Sequence, residues 1–224
     1  MSIKSKDYHD YVIKDNRFIG QFEEMYQNSS EIPWHQDKHA YHIFTDLDIT
    51  ILTHFHKACG FKTICEIGCG LGYVAHRIHK ELPGVIITGF DISKTAVKRA
   101  KRIFPEINFQ TLDILKDDTK PYSGAFDLII TKDLIWYVME KLELFWQKLE
   151  QMTVKYIFIS QSFPESNPFY GSDIFPSASA MDQYISKLFR VLYSCVEKDT
   201  RYGNRELIHI LAEKREDQSE RVKF

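Results

Sequence analysis

At 224 residues the chain can bury a full hydrophobic core and lies between one domain and two. Twenty-nine Lys+Arg stand against 31 Asp+Glu, so no global basic field exists to draw in nucleic acid. The apolar runs are too short to span a membrane, residues 1–10 hold no apolar core of a signal peptide, and Cys59, Cys65, Cys69 and Cys195 lack zinc-ligand spacing. These features predict a cytoplasmic protein with reduced thiols. No linker or repeat divides the chain, which predicts one domain over 1–224, with residues 1–60 as a helical cap ahead of the first strand.

Phe18, Phe22 and Tyr26 fall at i, i+4, i+8 and predict a first helix, with Asn16 as its cap. Pro33-Trp34 breaks that pattern. A second helix is predicted over 46–59, with Leu47, Ile51 and Phe55 on one face and Gly60 as its stop. Residues 63–67 then read as a short buried strand, followed by the glycine run 68–72 and a helix over 73–81. Strands are predicted at 85–90, 108–112, 127–131 and 156–160. Helices lie between them, from Ser93 to Phe104 and over 140–152. One more helix spans 177–189. Strands 191–197 and 206–213, with a Gly203-Asn204 turn, can only be antiparallel neighbours. The alternation argues for a parallel sheet covered by helices on both faces. The charged end, 214–224, reads as a frayed tail.

Strand, glycine turn and helix make the ligand-binding end of a Rossmann-like unit. A dinucleotide fingerprint would place its third glycine at position 73, where Tyr73 stands; here it falls at Gly72. Glu66 precedes the turn, and a carboxylate there suits an ammonium or another donor, not a pyrophosphate. The alternative is a glycine turn with only a packing role.

Glu66-Ile67-Gly68-Cys69-Gly70-Leu71-Gly72 resembles motif I of the class I S-adenosylmethionine-dependent methyltransferases. The resemblance implies a Rossmann-like core over 61–213, with a seven-stranded, mostly parallel sheet and an antiparallel C-terminal hairpin. It implies S-adenosylmethionine as cofactor, held by Glu66, Gly68, Cys69, Gly70 and Gly72. Asp91 ends the second strand, where an acid would accept ribose hydroxyls; the alternative is a helix cap ahead of Ser93. Ile92 follows it. Asp113 would read the adenine amino group and Ile114 would pack on the ring, although Asp is also common in turns. Lys132, a further cofactor contact, and Asp133 follow the fourth strand, at the strand end where the family lines the transferring methyl and the substrate. Thr131-Lys132-Asp133-Leu134 lacks the Asn/Asp-Pro-Pro-Tyr motif of base and amide N-methyltransferases.

Asp133 is the candidate base, with a solvated turn residue as its alternative. Trp34, His35 and Tyr41 would close as a lid over the methionine end, with Trp34 and His35 also expected to touch the substrate. Trp136, Phe163 and Tyr170 would line the acceptor chamber beneath the aromatic segment 162–177, whose rings could instead pack back on the core. His35, His39 and His42 sit at helical spacing, yet the family needs no metal for the transfer and none is assigned. The expected function is methyl transfer to an oxygen or nitrogen of a small molecule: a sugar, a glycan precursor or a secondary metabolite. The chain would act as a monomer or homodimer, without nucleic acid or membrane as partner. An RNA or protein methyltransferase and a non-catalytic S-adenosylmethionine-binding protein are the alternatives.

Overall fold

The structure, a computed structural model, describes residues 5–15, 17–165, 168–200 and 205–215. The Asn16 cap, the Gly203-Asn204 turn and the tail beyond Arg215 lie outside the described residues. Seven strands form a mixed, mostly parallel sheet with helices around it and antiparallel strands at its C-terminal end. The chain folds as two compact units, Met1–Asp118 and Thr119–Phe224.

In the first unit, β1 (Ile13–Lys14) and β2 (Arg17–Phe18) make a small antiparallel hairpin. Phe18 was expected on a helix. Gly20, at φ +68°, interrupts the helical backbone, so α1 begins only at Phe22 (Phe22–Asn28). A short α2 (Gln36–His39) leads to α3 (Ile43–Cys59), three residues longer at its start than predicted. Its cap is His42, whose Nδ1 accepts the Phe44 N–H at 3.4 Å. Then follow β3 (Thr63–Ile67), α4 (Tyr73–Glu81), β4 (Ile86–Asp91), α5 (Lys94–Ile103) and β5 (Asn108–Thr111). Strands β3, β4 and β5 pair in parallel. Phe61, Ile64, Leu71, Ile78, Phe90 and Phe109 fill the core of this unit. Ser93 caps α5 as expected, its Oγ accepting the Ala96 N–H at 3.1 Å.

The second unit holds β6 (Phe126–Lys132), α6 (Leu142–Met152), β7 (Thr153–Phe163), α7 (Ala178–Leu188), β8 (Arg190–Asp199) and β9 (Arg205–Glu213). The strand order is β5-β4-β3 within the first unit and β6-β7-β9-β8 within the second. Strand β7 runs eleven residues where five were predicted, because it pairs antiparallel with β9 from Tyr156 to Phe163. Phe158, Ile159, Leu207, Ile208, Ile210 and Leu211 make these two strands a buried core.

Candidate functional site

In the first unit the glycine run leaves β3 and crosses to β4. Gly68 N–H and Cys69 N–H both donate to Phe90 O, at 2.7 and 2.9 Å. Gly72 N–H donates to Cys69 O at 2.9 Å, Gly70 N–H to Asp91 Oδ2 at 2.8 Å, and Leu71 N–H to Gln36 Oε1 at 2.8 Å. Every backbone N–H from 68 to 72 is therefore committed within the chain. A pyrophosphate cradle needs such donors free.

Gly70 and Gly72 have φ of +54° and +81°, in the left-handed region that favours glycine. Space also demands them. An ideal Cβ on Gly72 would stand 2.3 Å from the Phe109 ring, and one on Gly70 would stand 2.5–2.7 Å from Gln36 and the Tyr26 hydroxyl. At Gly70 it is the N-terminal segment, through Gln36 and Tyr26, that lies against the backbone.

Two carboxylates flank the turn. Glu66 is buried on β3 and Asp91 is buried at the end of β4. Asp91 Oδ1 accepts the Ser93 N–H at 2.8 Å while Oδ2 holds Gly70, so it both caps the following helix and pins the turn. Burial pushes its carboxyl up to about 6, against the hydrogen bonds from Ser93 and Gly70 that pull it down. Burial likewise raises the thiols of Cys65 and Cys69, which stay protonated. Ile92 is exposed beside Asp91, and Ile114 is buried. Asp113 Oδ1 accepts the Leu115 N–H at 3.0 Å, and Oδ2 pairs with Lys116 at 3.2 Å, a turn cap at the end of β5.

The N-terminal segment docks through residues that the sequence pattern did not mark. Glu23 of α1 accepts from Ser93 Oγ at 2.6 Å, Thr95 Oγ1 at 2.6 Å and Thr95 N at 3.1 Å. Tyr26, one turn later, receives a hydrogen bond from Gln36 Nε2 at 2.8 Å. Arg77 ties Ala40 O and Asp46 to α4, each at 2.6 Å. Trp34 and His35 are consecutive residues at φ +52° and +46°, a strain on the order of 1–2 kcal/mol each. Their rings gather with Tyr8 and Phe22. Tyr41 is exposed beneath the Arg77 guanidinium. His35, His39 and His42 lie in a row with ring centroids 6.1–6.3 Å apart and their planes steeply inclined to one another. Among the described residues no group of three or more His, Cys, Asp or Glu is arranged to hold a metal ion.

The second unit carries the other predicted residues. Lys132 Nζ donates to Ser160 Oγ at 3.1 Å. Asp133, at φ +50°, accepts on Oδ1 from Ser162 N at 2.8 Å, Ser162 Oγ at 2.6 Å and Gln161 Nε2 at 3.4 Å. The carboxylate expected as a base is thus also a clamp on β7. Trp136 donates its indole N–H to Ser162 O at 2.9 Å and meets Phe163 and Phe169 edge-on, at 5.2 and 5.3 Å. Trp136, Phe163, Phe169 and Phe175 are all buried, so these rings pack on one another. Tyr170 is half-buried, and burial raises its hydroxyl above the usual phenol value.

The sequence pattern of the methyltransferase domain matches residues 61–219 of this chain. Protein 235L of Invertebrate iridescent virus 6, which carries a provisional methyltransferase name, is 24% identical over 80 residues. That stretch is 36% of this chain and 29% of the viral protein, so the likeness spans less than a third of that relative. Magnesium protoporphyrin IX methyltransferase of Synechocystis PCC 6803, crystallised with S-adenosylhomocysteine, superposes at a TM-score of 0.57 and 16% identity, covering 81% of this chain and 94% of that one. A provisionally named sarcosine dimethylglycine methyltransferase of Galdieria sulphuraria gives 0.58 at 12% identity, covering 76% and 85%. The [4+2]-cyclase SpnF gives 0.58 at 15% identity, covering 75% and 80%. Likeness at these identities is one of fold.

Proposed function

The chain belongs to the methyltransferase-domain family, class I in fold, and on that footing we propose that it moves a methyl group from S-adenosylmethionine to an oxygen or nitrogen of a small molecule. The observation that carries the cofactor is the glycine turn with every N–H committed and two buried carboxylates beside it. That donor-poor, acid-rich surface fits an ammonium, a sulfonium and ribose hydroxyls, and it repels a pyrophosphate.

S-adenosylmethionine supplies an electrophilic methyl when bound. The chain's own residues supply binding, orientation and exclusion of water. Asp91 and Glu66 offer acceptors, since each carboxylate oxygen has two lone pairs and the bonds to Gly70 and Ser93 use one on each Asp91 oxygen. The N-terminal segment covers the turn through Gln36 and Tyr26 and serves as the lid. Asp133, held in place by Ser162, is the acid at the carboxyl end of β6 available to an acceptor proton.

A small acceptor is favoured by the near-neutral charge of the chain. The neighbours named for a porphyrin and for a methylated glycine support the same class. The fold also serves a cyclase, so turnover must be measured. Calorimetry with S-adenosylmethionine, S-adenosylhomocysteine and NAD tests the cofactor: the first two bind, and tight NAD binding would refute it. Release of S-adenosylhomocysteine across a panel of sugars, amines and phenols tests the transfer. Binding without turnover on any acceptor would favour a non-catalytic S-adenosylmethionine-binding protein.

A further inference from the structure

One side chain of the N-terminal segment reaches the glycine turn with hydrogen-bonding capacity to spare. Gln36 Oε1 accepts the Leu71 N–H at 2.8 Å, and Nε2 donates to the Tyr26 hydroxyl at 2.8 Å. A backbone N–H can only donate, so the carboxamide is oriented without ambiguity between its oxygen and nitrogen. A carboxamide nitrogen carries two hydrogens. The second has no hydrogen-bond partner among the described residues. Nε2 lies 2.7 Å from where a Cβ on Gly70 would stand, so this donor sits directly on the turn.

We propose that Gln36 is a cofactor-binding residue whose remaining Nε2–H donates to the amino-acid carboxylate of S-adenosylmethionine. The proposal rests on the methyltransferase reading above. S-adenosylmethionine brings one anionic group to this surface, and an anion needs donors. The five N–H groups of the turn are all committed, and Glu66 and Asp91 would repel a carboxylate. Gln36 supplies a neutral donor at that place with no charge of its own to desolvate.

The donor is also pre-positioned. Glu23 fixes α1 to Ser93 and Thr95, and Tyr26 lies three residues on, on the same helix face. Tyr26 in turn holds Nε2, while Leu71 holds Oε1. A circuit therefore closes from Gly70 through Asp91, Ser93, Glu23, Tyr26 and Gln36 back to Leu71. Ordering of the side chain is complete before the ligand arrives, which lowers the cost of binding.

Calorimetric titration of wild type, Gln36→Ala and Gln36→Glu tests this with two ligands, S-adenosylhomocysteine and 5′-methylthioadenosine. The second shares the nucleoside and lacks the amino-acid carboxylate. Gln36→Ala should weaken S-adenosylhomocysteine by about tenfold, the order for one hydrogen bond to a charged group. It should leave 5′-methylthioadenosine unchanged. Gln36→Glu keeps the acceptor for Leu71 and sets one carboxylate against another, so its loss should be larger and equally selective. If both ligands weaken in parallel, Gln36 only shapes the turn and the proposal fails. If neither weakens, it does not touch the cofactor and the proposal fails. A wild-type chain that binds neither ligand refutes the methyltransferase reading itself, an outcome visible before any variant is compared.

Discussion

Glu23 accepts the hydroxyl hydrogen of Ser93 at 2.6 Å, across seventy positions of sequence. Ser93 is the cap of α5 and the second residue after Asp91, so the latch of the N-terminal segment is fastened beside the acid of the candidate cofactor site. The N-terminal segment and the glycine turn are thus one hydrogen-bonded assembly, and changes in either should be felt in both.

Burial opposes the charge on Glu23, but hydrogen bonds from Ser93, Thr95 and Gln27 outweigh it and bring the carboxyl from an ordinary 4.5 to about 2. A folded value below the unfolded one means the carboxylate stabilises the fold above pH 4.5 and loses that contribution as pH falls toward 2. Because the group is partly exposed, solvent screening trims the effect, and Glu23→Ala should cost about 1–2 kcal/mol at pH 7. Urea melts at pH 7 and pH 3 check this. The difference between wild type and variant should shrink at the lower pH, and a constant difference would show that Glu23 matters only through its packing.

Asp91 has the opposite sign. Burial lifts its folded value from 3.8 to about 6. Its protonated form is favoured in the fold, so its contribution to stability is present below pH 3.8 and lost as pH rises through 6. In the cofactor role proposed above, Asp91 accepts ribose hydroxyls more strongly when ionised. Affinity for S-adenosylhomocysteine should therefore fall as pH drops below about 6. Asp91→Asn should lose about 1–3 kcal/mol of that affinity at pH 8 and should flatten its pH dependence. Calorimetry at pH 5.5 and pH 8, values that bracket the shifted carboxyl, separates the two cases. A variant that keeps the wild-type slope would move the titration to another group.

Phe109 supports the turn from below. Gly72→Ala places a Cβ 2.3 Å from its ring and keeps a φ of +81°, so both space and backbone are violated. Loss of about 2 kcal/mol or more is expected, and Phe109→Ala alone should cost about 3–5 kcal/mol through its cavity. The double variant should cost less than the sum, because removing the ring removes the collision. Additive losses would place the whole effect of Gly72→Ala in its backbone.

The elements that the sequence made legible are those written by short-range rules. The run Glu66–Gly72 names a strand followed by a turn, Ser93 and Ser177 name their helices' starts, and Val191–Glu197 with Glu206–Glu213 can only be an antiparallel pair. What was not legible depends on contacts distant in sequence. Gln36 carries no pattern of its own; its role appears only when Leu71 stands 2.8 Å away. Tyr26 read as one member of an apolar stripe, and its hydroxyl, not its ring, meets Gln36. Phe18 shared that stripe, but Gly20 between them turned it into a strand residue. Asp133 and Phe163 were visible as residues of the segments after the fourth and fifth strands, whereas their mutual arrangement through Ser162 was not.

That arrangement separates two residues that the sequence grouped together as acceptor contacts. Phe163 is buried, with Trp136 and Phe169 against its ring at 5.2 and 6.4 Å. Tyr170 keeps part of its surface in solvent, and a Cβ on its neighbour Gly171 would stand 3.1–3.3 Å from the Met139 and Trp136 side chains. Truncating a ring in a packed cluster leaves a cavity, so Phe163→Ala should lose about 3–5 kcal/mol of stability. Its turnover, corrected for the folded fraction, should change little. Tyr170→Ala removes a half-exposed side chain and should cost less than about 1 kcal/mol. If the segment after β7 covers the acceptor, turnover of the folded Tyr170→Ala protein should fall strongly while affinity for S-adenosylhomocysteine stays as in wild type. Thermal melts, calorimetry and initial rates on the same preparations decide between the two residues. Loss of rate without loss of stability in Phe163→Ala would put that ring at the acceptor after all. Wild-type rates in Tyr170→Ala would move the acceptor away from the segment after β7.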